Sequence, residues 1–132
     1  MPEEKIEQFL HDITTWASAR SDLLALAVVG SYARGAATAT SDLDLVLITT
    51  HPDQYLHNQA WVQQFGAVEK QQVEEYGLLT SLRAWYSDGL EVEFGITDES
   101  WAALPLDEGS HRVIANGMRI LFEKDCLLSR HQ

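Results

Sequence analysis

A single cysteine, Cys126, is all the chain carries, which excludes an internal disulfide and any zinc site built from several cysteines. Basic residues are scarce as well. Nine Lys and Arg stand against twenty Asp and Glu, a formal charge of −11, and the nine are scattered singly with no basic cluster. Affinity for nucleic acid comes largely from cations that neutralise phosphates, so this balance argues against DNA or RNA as a primary partner. Divalent cations are favoured by the same argument. Long apolar runs are missing: the stretch Leu23 to Val29 is strand-sized, far short of a membrane span. The polar, acidic start Met1-Pro2-Glu3-Glu4-Lys5 is unlike a signal peptide, and the expected location is cytoplasmic. His11, His51, His57, His111 and His131 lack zinc-motif spacing and are expected on the surface.

What remains is the composition of an ordinary globular protein, with a length that fits one domain over residues 1–132. Ile6, Phe9, Leu10, Ile13, Trp16 and Ala17 recur at helical spacing and predict an amphipathic helix. Leu23–Val29 is a continuous apolar run that suits a buried strand, and Leu43–Ile48 is a second apolar strand that begins with Asp42 and Asp44. Residues 32–37 could form a short helix between them. His51-Pro52-Asp53 starts a further helix that runs to about Phe65 and stops at Gly66. Strands follow over 67–76 and 78–87, then a tight Asp88-Gly89 turn leads into Leu90–Ile96. Asp107 can cap a helix to about Ala115, and Met118–Glu123 is a final strand. Trp61, Trp85 and Trp101 are expected to pack. The order of elements gives an α/β fold.

Three groups of residues can carry chemistry. Asp42 and Asp44 are two apart at the head of a strand, so their side chains leave the same face with Cα atoms roughly 6.6 Å apart. Two carboxylates side by side at the end of a buried strand repel, so one takes up a proton or a cation sits between them. The bland alternative places both in water beyond the sheet. Gly30-Ser31 ends the first strand where a helix would begin, a natural seat for a phosphate; the bland alternative makes Ser31 a simple cap. Glu91 and Glu93 share one face of a later strand while Leu90, Val92, Phe94 and Ile96 share the other, an alternation that a solvated strand also shows.

Taken together, Gly30-Ser31-Tyr32-Ala33-Arg34-Gly35 and Ser41-Asp42-Leu43-Asp44-Leu45 resemble the signature of the nucleotidyltransferase superfamily with the polymerase-β-like fold. In that pattern Gly-Ser is followed by ten residues, then Asp-x-Asp, then a third carboxylate on a later strand; ten residues separate Ser31 from Asp42 here. The resemblance implies an α+β domain with a mixed sheet flanked by helices. It also implies a two-metal site in which Asp42, Asp44 and Glu93 hold Mg²⁺, with Mn²⁺ able to substitute. Gly30 and Ser31 would cradle the phosphates of an NTP, ATP by expectation, with Arg34 and Ser41 also near the nucleotide. Arg34 could equally pair with a surface carboxylate. The third carboxylate is often Asp in the family; Glu91 rivals Glu93, which is preferred because it lies deeper in its strand. The implied reaction moves NMP to a hydroxyl and releases pyrophosphate.

Only 39 residues follow Glu93, so the chain resembles the minimal nucleotidyltransferases, many of which pair as antitoxins with a small all-helical HEPN protein. A protein partner of that kind, or a second copy of the chain, would complete the acceptor pocket. The alternatives are a non-catalytic binding or antitoxin module that retains the fold, and a small-molecule adenylyltransferase of the antibiotic-modifying kind.

Overall fold

The computed structural model describes residues 2–30, 42–76, 79–98 and 118–124. The first helix, α1 (Pro2–Ser18), buries the expected stripe: Ile6, Phe9, Leu10, Ile13 and Ala17 are all in the core. Ile13 is fully enclosed, and burying a side chain of that size contributes about 1.5–3 kcal/mol. The Arg20 N–H closes the helix end on the Ala17 carbonyl.

β1 (Leu23–Val29) and β2 (Leu43–Thr49) are buried on both faces, save for half-buried Leu24 and Asp44 near their starts, as their largely apolar sequences require. A short helix, α2 (Pro52–His57), and a 3-10 helix (Gln59–Phe65) follow β2. The sequence pattern predicts one helix across this stretch, and the break at Asn58 is a correction. Asn58 adopts φ −107° and ψ 93°, and its side chain accepts a hydrogen bond from the Ala60 N–H. Asn side chains compete with the helical backbone in this way. Trp61 ties the two pieces together across the break: its indole N–H donates to the Tyr55 carbonyl, and its ring stacks on Trp16 at 5.2 Å.

β3 (Val68–Tyr76), β4 (Leu79–Tyr86), β5 (Glu91–Thr97) and β6 (Met118–Glu123) complete a six-stranded sheet in the order β3-β4-β5-β2-β1-β6. All neighbours are antiparallel except β2 and β5, so the sheet is mixed. The β4–β5 turn is the expected Asp88-Gly89 hairpin, with Gly89 at φ +95° and the Leu90 N–H donating to Asp88 Oδ1.

Alternation along the strands gives the sheet two unlike faces. One packs under α1, α2 and the 3-10 helix through Leu43, Leu45, Leu47, Leu82, Ala84, Val92, Phe94 and Ile96. The other carries a smaller apolar patch, Ala25, Ala27, Val29, Val46 and Ile48, and beside it a row of polar residues. No helix among the described residues is long and apolar enough to cross a membrane. The helices expected over 32–37 and 107–115 lie outside the described residues. So do Ser31, Arg34, Ser41, Trp101, His111, Cys126 and His131.

Candidate metal centre

Strand register alone assembles the polar row. Val29 pairs with Asp44, Asp44 with Glu93, Glu93 with Arg83, and Arg83 with Gln72. Side chains opposite one another in adjacent strands stand on the same face, so residues from five strands meet on one line, four of them polar. Asp42, one alternation before Asp44, adds a third carboxylate. Asp42, Asp44 and Glu93 each offer an oxygen within 4.8 Å of the others, and all three are half-buried. An all-oxygen set of hard carboxylates at this spacing fits a divalent cation such as Mg²⁺. Glu91 stands outside that group, on Arg83.

Gly30 supports the fit from beneath. It ends β1 with φ +74°, and a Cβ placed on it would lie 2.5 Å from Asp44 Oδ2. The missing side chain is the space that the Asp44 carboxylate fills. Beside the phosphate seat expected of Gly30-Ser31, Gly30 thus also gives room to Asp44.

Arg83 is the residue that sequence reasoning missed. Its Nε donates to Glu74 at 2.8 Å, Nη1 to Asp42 at 2.8 Å and to Glu91, and Nη2 to Glu93 at 2.9 Å. The hydrogen bond donated to Glu74 foremost, resisted by burial, then those donated to Asp42 and Glu91 hold the guanidinium pKa above its already high value. The other Glu93 oxygen accepts from the Ser81 hydroxyl at 2.8 Å, and Ser81 is fully buried. Neither residue belongs to a motif. Only the strand alternation Ser81, Arg83, Trp85 could have put both on the face of Glu93, and only with the register that sets Arg83 opposite Glu93 and Ser81 opposite Gly95.

Asp44 has a different neutraliser. Burial first, then the charges of Glu93 and Asp42 and a hydrogen bond shared with Glu93, push its carboxyl up to about 7, with Arg83 pulling the other way. The pair of remedies expected from sequence for crowded acids, a proton or a cation, is therefore divided among the three. Arg83 serves Asp42 and Glu93, and a proton serves Asp44.

Trp85 lies on this face too, outside the main core, with Lys70 Nζ 4.9 Å and the Arg83 guanidinium 5.9 Å from its ring centre. Trp61 packs in the core layer as expected. His11, His51 and His57 are exposed.

Comparison with known proteins places this geometry. No curated protein matches the chain. Among solved structures, an aminoglycoside 6-adenyltransferase from Bacillus subtilis superposes with a TM-score of 0.54 at 15% identity, over 71% of this chain and 36% of that one. The polymerase core of TRAMP, a RNA surveillance complex, superposes with a TM-score of 0.52 at 13% identity, over 75% of this chain and 32% of that one. The chain thus spans about a third of the length of either. At these identities the likeness is one of fold, the polymerase-β-like arrangement of a mixed sheet flanked by helices. The nucleotidyltransferase domain matches residues 13–96, from the middle of α1 to the end of β5, and the chain belongs to that family.

Proposed function

We propose that the chain transfers NMP from an NTP, with ATP the expected donor, to a hydroxyl of a protein or small molecule, with Mg²⁺ as cofactor. The observation that carries the reading is the convergence of Asp42, Asp44 and Glu93 from β2 and β5 on one face. These three would hold the metal, which when bound offsets charge on the entering and leaving oxygens of an in-line displacement.

The chain's own residues supply the rest. Ser81 and Arg83 each donate to one oxygen of Glu93 and orient that carboxylate. Gly30 keeps Asp44 seated. Gly30, Ser31, Arg34 and Ser41 are the proposed nucleotide contacts. The hydroxyl oxygen bonds to the α-phosphorus, the bond from that phosphorus to the bridging oxygen breaks, and pyrophosphate leaves. The proton of the hydroxyl passes to a neighbouring carboxylate, for which we propose Glu93.

As partner we propose a protein, either an all-helical one of the HEPN type with this chain as its antitoxin, or a second copy. The charge of −11 supports a protein over a nucleic acid. The deciding measurement is ATP binding and pyrophosphate release with Mg²⁺, compared between the parent chain and an Asp42→Ala/Asp44→Ala variant. The enzyme reading expects both signals to vanish in the variant. Equal nucleotide binding by the two proteins would instead identify a non-catalytic module.

A further inference from the structure

Arg83 divides its donors in a way that neither structural support nor chance charge pairing requires. A guanidinium presents five N–H groups in a fixed fork. The Nε end is anchored on Glu74, and Nη1 is shared with Glu91; neither acid belongs to the group of three that can hold a metal. The remaining contacts, Nη1 to Asp42 and Nη2 to Glu93, fall on two of those three. Arg83 is thus tethered on one side by acids that a bound cation leaves alone. On the other it competes for oxygens that a cation would need.

We infer that Arg83 is an exchangeable internal counterion: it holds Asp42 and Glu93 in place until a divalent cation takes them, and it sets how tightly that cation binds. The inference rests on the metal-centre reading above. Crowded carboxylates repel and splay unless something positive sits among them. A hydrated Lys ammonium is a point charge and could not span four acids, whereas the planar fork of Arg can. When a cation binds Asp42 and Glu93, the fork keeps Glu74 and Glu91, so Arg83 gives up two partners without leaving its charge unpaired. Arg83 is a positioning residue in this role, since it acts through the carboxylates.

The sign of one affinity change separates this role from plain support. If Arg83 only props up the carboxylates, its removal weakens metal binding. If it competes with the metal, its removal strengthens binding. Titration calorimetry with Mn²⁺ alone, on the metal-stripped 132-residue chain, reads this without nucleotide or turnover. Arg83→Gln is expected to bind Mn²⁺ about tenfold tighter than the parent, the equivalent of one charge-assisted contact no longer in competition. Arg83→Lys, which keeps the charge but loses the fork, is expected to bind about threefold tighter, and it carries the test if Arg83→Gln does not fold. Glu74→Gln removes the tether and is expected to weaken Mn²⁺ binding about threefold. Unchanged or weaker binding by the arginine variants overturns the inference and leaves the metal centre standing. A parent chain that binds no Mn²⁺ overturns the metal centre itself.

Discussion

Two polar clusters in this molecule are built from the same residue types and are balanced in opposite ways. The first ties the end of α1 to β2 and α2. Asp22 Oδ2 accepts from the Tyr55 hydroxyl at 2.6 Å and from Thr49 at 3.4 Å, and Arg20 donates to the same Tyr55 oxygen at 2.8 Å. The Arg20 guanidinium also rests 5.1 Å over the Trp16 ring. One acid meets one cation, and every neighbour of the acid is a donor. Burial would raise the Asp22 pKa, but the hydrogen bond from Tyr55, with Arg20 and Thr49 behind it, brings it below the ordinary value. Among the described residues, the second cluster sets five acids, Asp42, Asp44, Glu74, Glu91 and Glu93, around Arg83. There Asp44 is pushed up to about 7. A structural cluster is neutral and finished. Among its described residues the carboxylate face holds more acids than cations, a crowding that costs stability and that a bound cation would relieve.

Removing one acid from each cluster should therefore have opposite effects on stability, and the carboxylate face should show the largest loss of function. Asp44→Asn is expected to lower metal-dependent pyrophosphate release by more than about 100-fold. In metal-stripped protein at pH 8, however, it should raise the melting temperature by about 2–5 °C. Asp22→Asn is expected to do the reverse: the fold loses about 1–3 kcal/mol as Tyr55 loses its charged acceptor and Arg20 its ion-pair partner, read by urea unfolding, and metal affinity stays as it was. A destabilising Asp44→Asn would mean that the crowding is not felt.

Gly30→Ala sharpens the same contrast from the backbone side. The φ of +74° costs an alanine about 1–2 kcal/mol, and the new Cβ meets Asp44 Oδ2. Mn²⁺ affinity measured by calorimetry should fall with stability, because the carboxylate is displaced.

The pH dependences should also differ in sign. Because Asp44 is raised, the folded chain holds its proton between about pH 4 and 7 while the unfolded chain has released it. Stability of the metal-stripped protein should thus decline as pH rises through that window, and Asp44→Asn should flatten the decline in urea melts at successive pH values. Asp22 has a lowered pKa, so its contribution is present above the ordinary carboxylate value and is lost on acidification below it. The smallest effect belongs to Glu7→Gln: its pair with Arg119 is solvent-exposed on both sides and should contribute about 0–1 kcal/mol in the same urea assay.

Sequence patterning alone located α1, all six strands and the Asp88-Gly89 hairpin, because each is fixed by local periodicity or turn chemistry. The Asp42-x-Asp44 pair was legible for the same reason: alternation within one strand decides that both side chains share a face. The single helix expected over 51–65 was not, since the break at Asn58 is set by a Trp61 ring that stacks on a distant helix. The choice between Glu91 and Glu93 also lay beyond local patterning. The parallel pairing of β2 with β5 sets Glu93 opposite Asp44, and β4 lines Arg83 up with Glu93. Local spacing could say that these residues were acidic, alternating and crowded. It could not say which cation they would share, because register between strands far apart in the chain is decided by burying Leu45, Phe94 and Leu82 together on the opposite face.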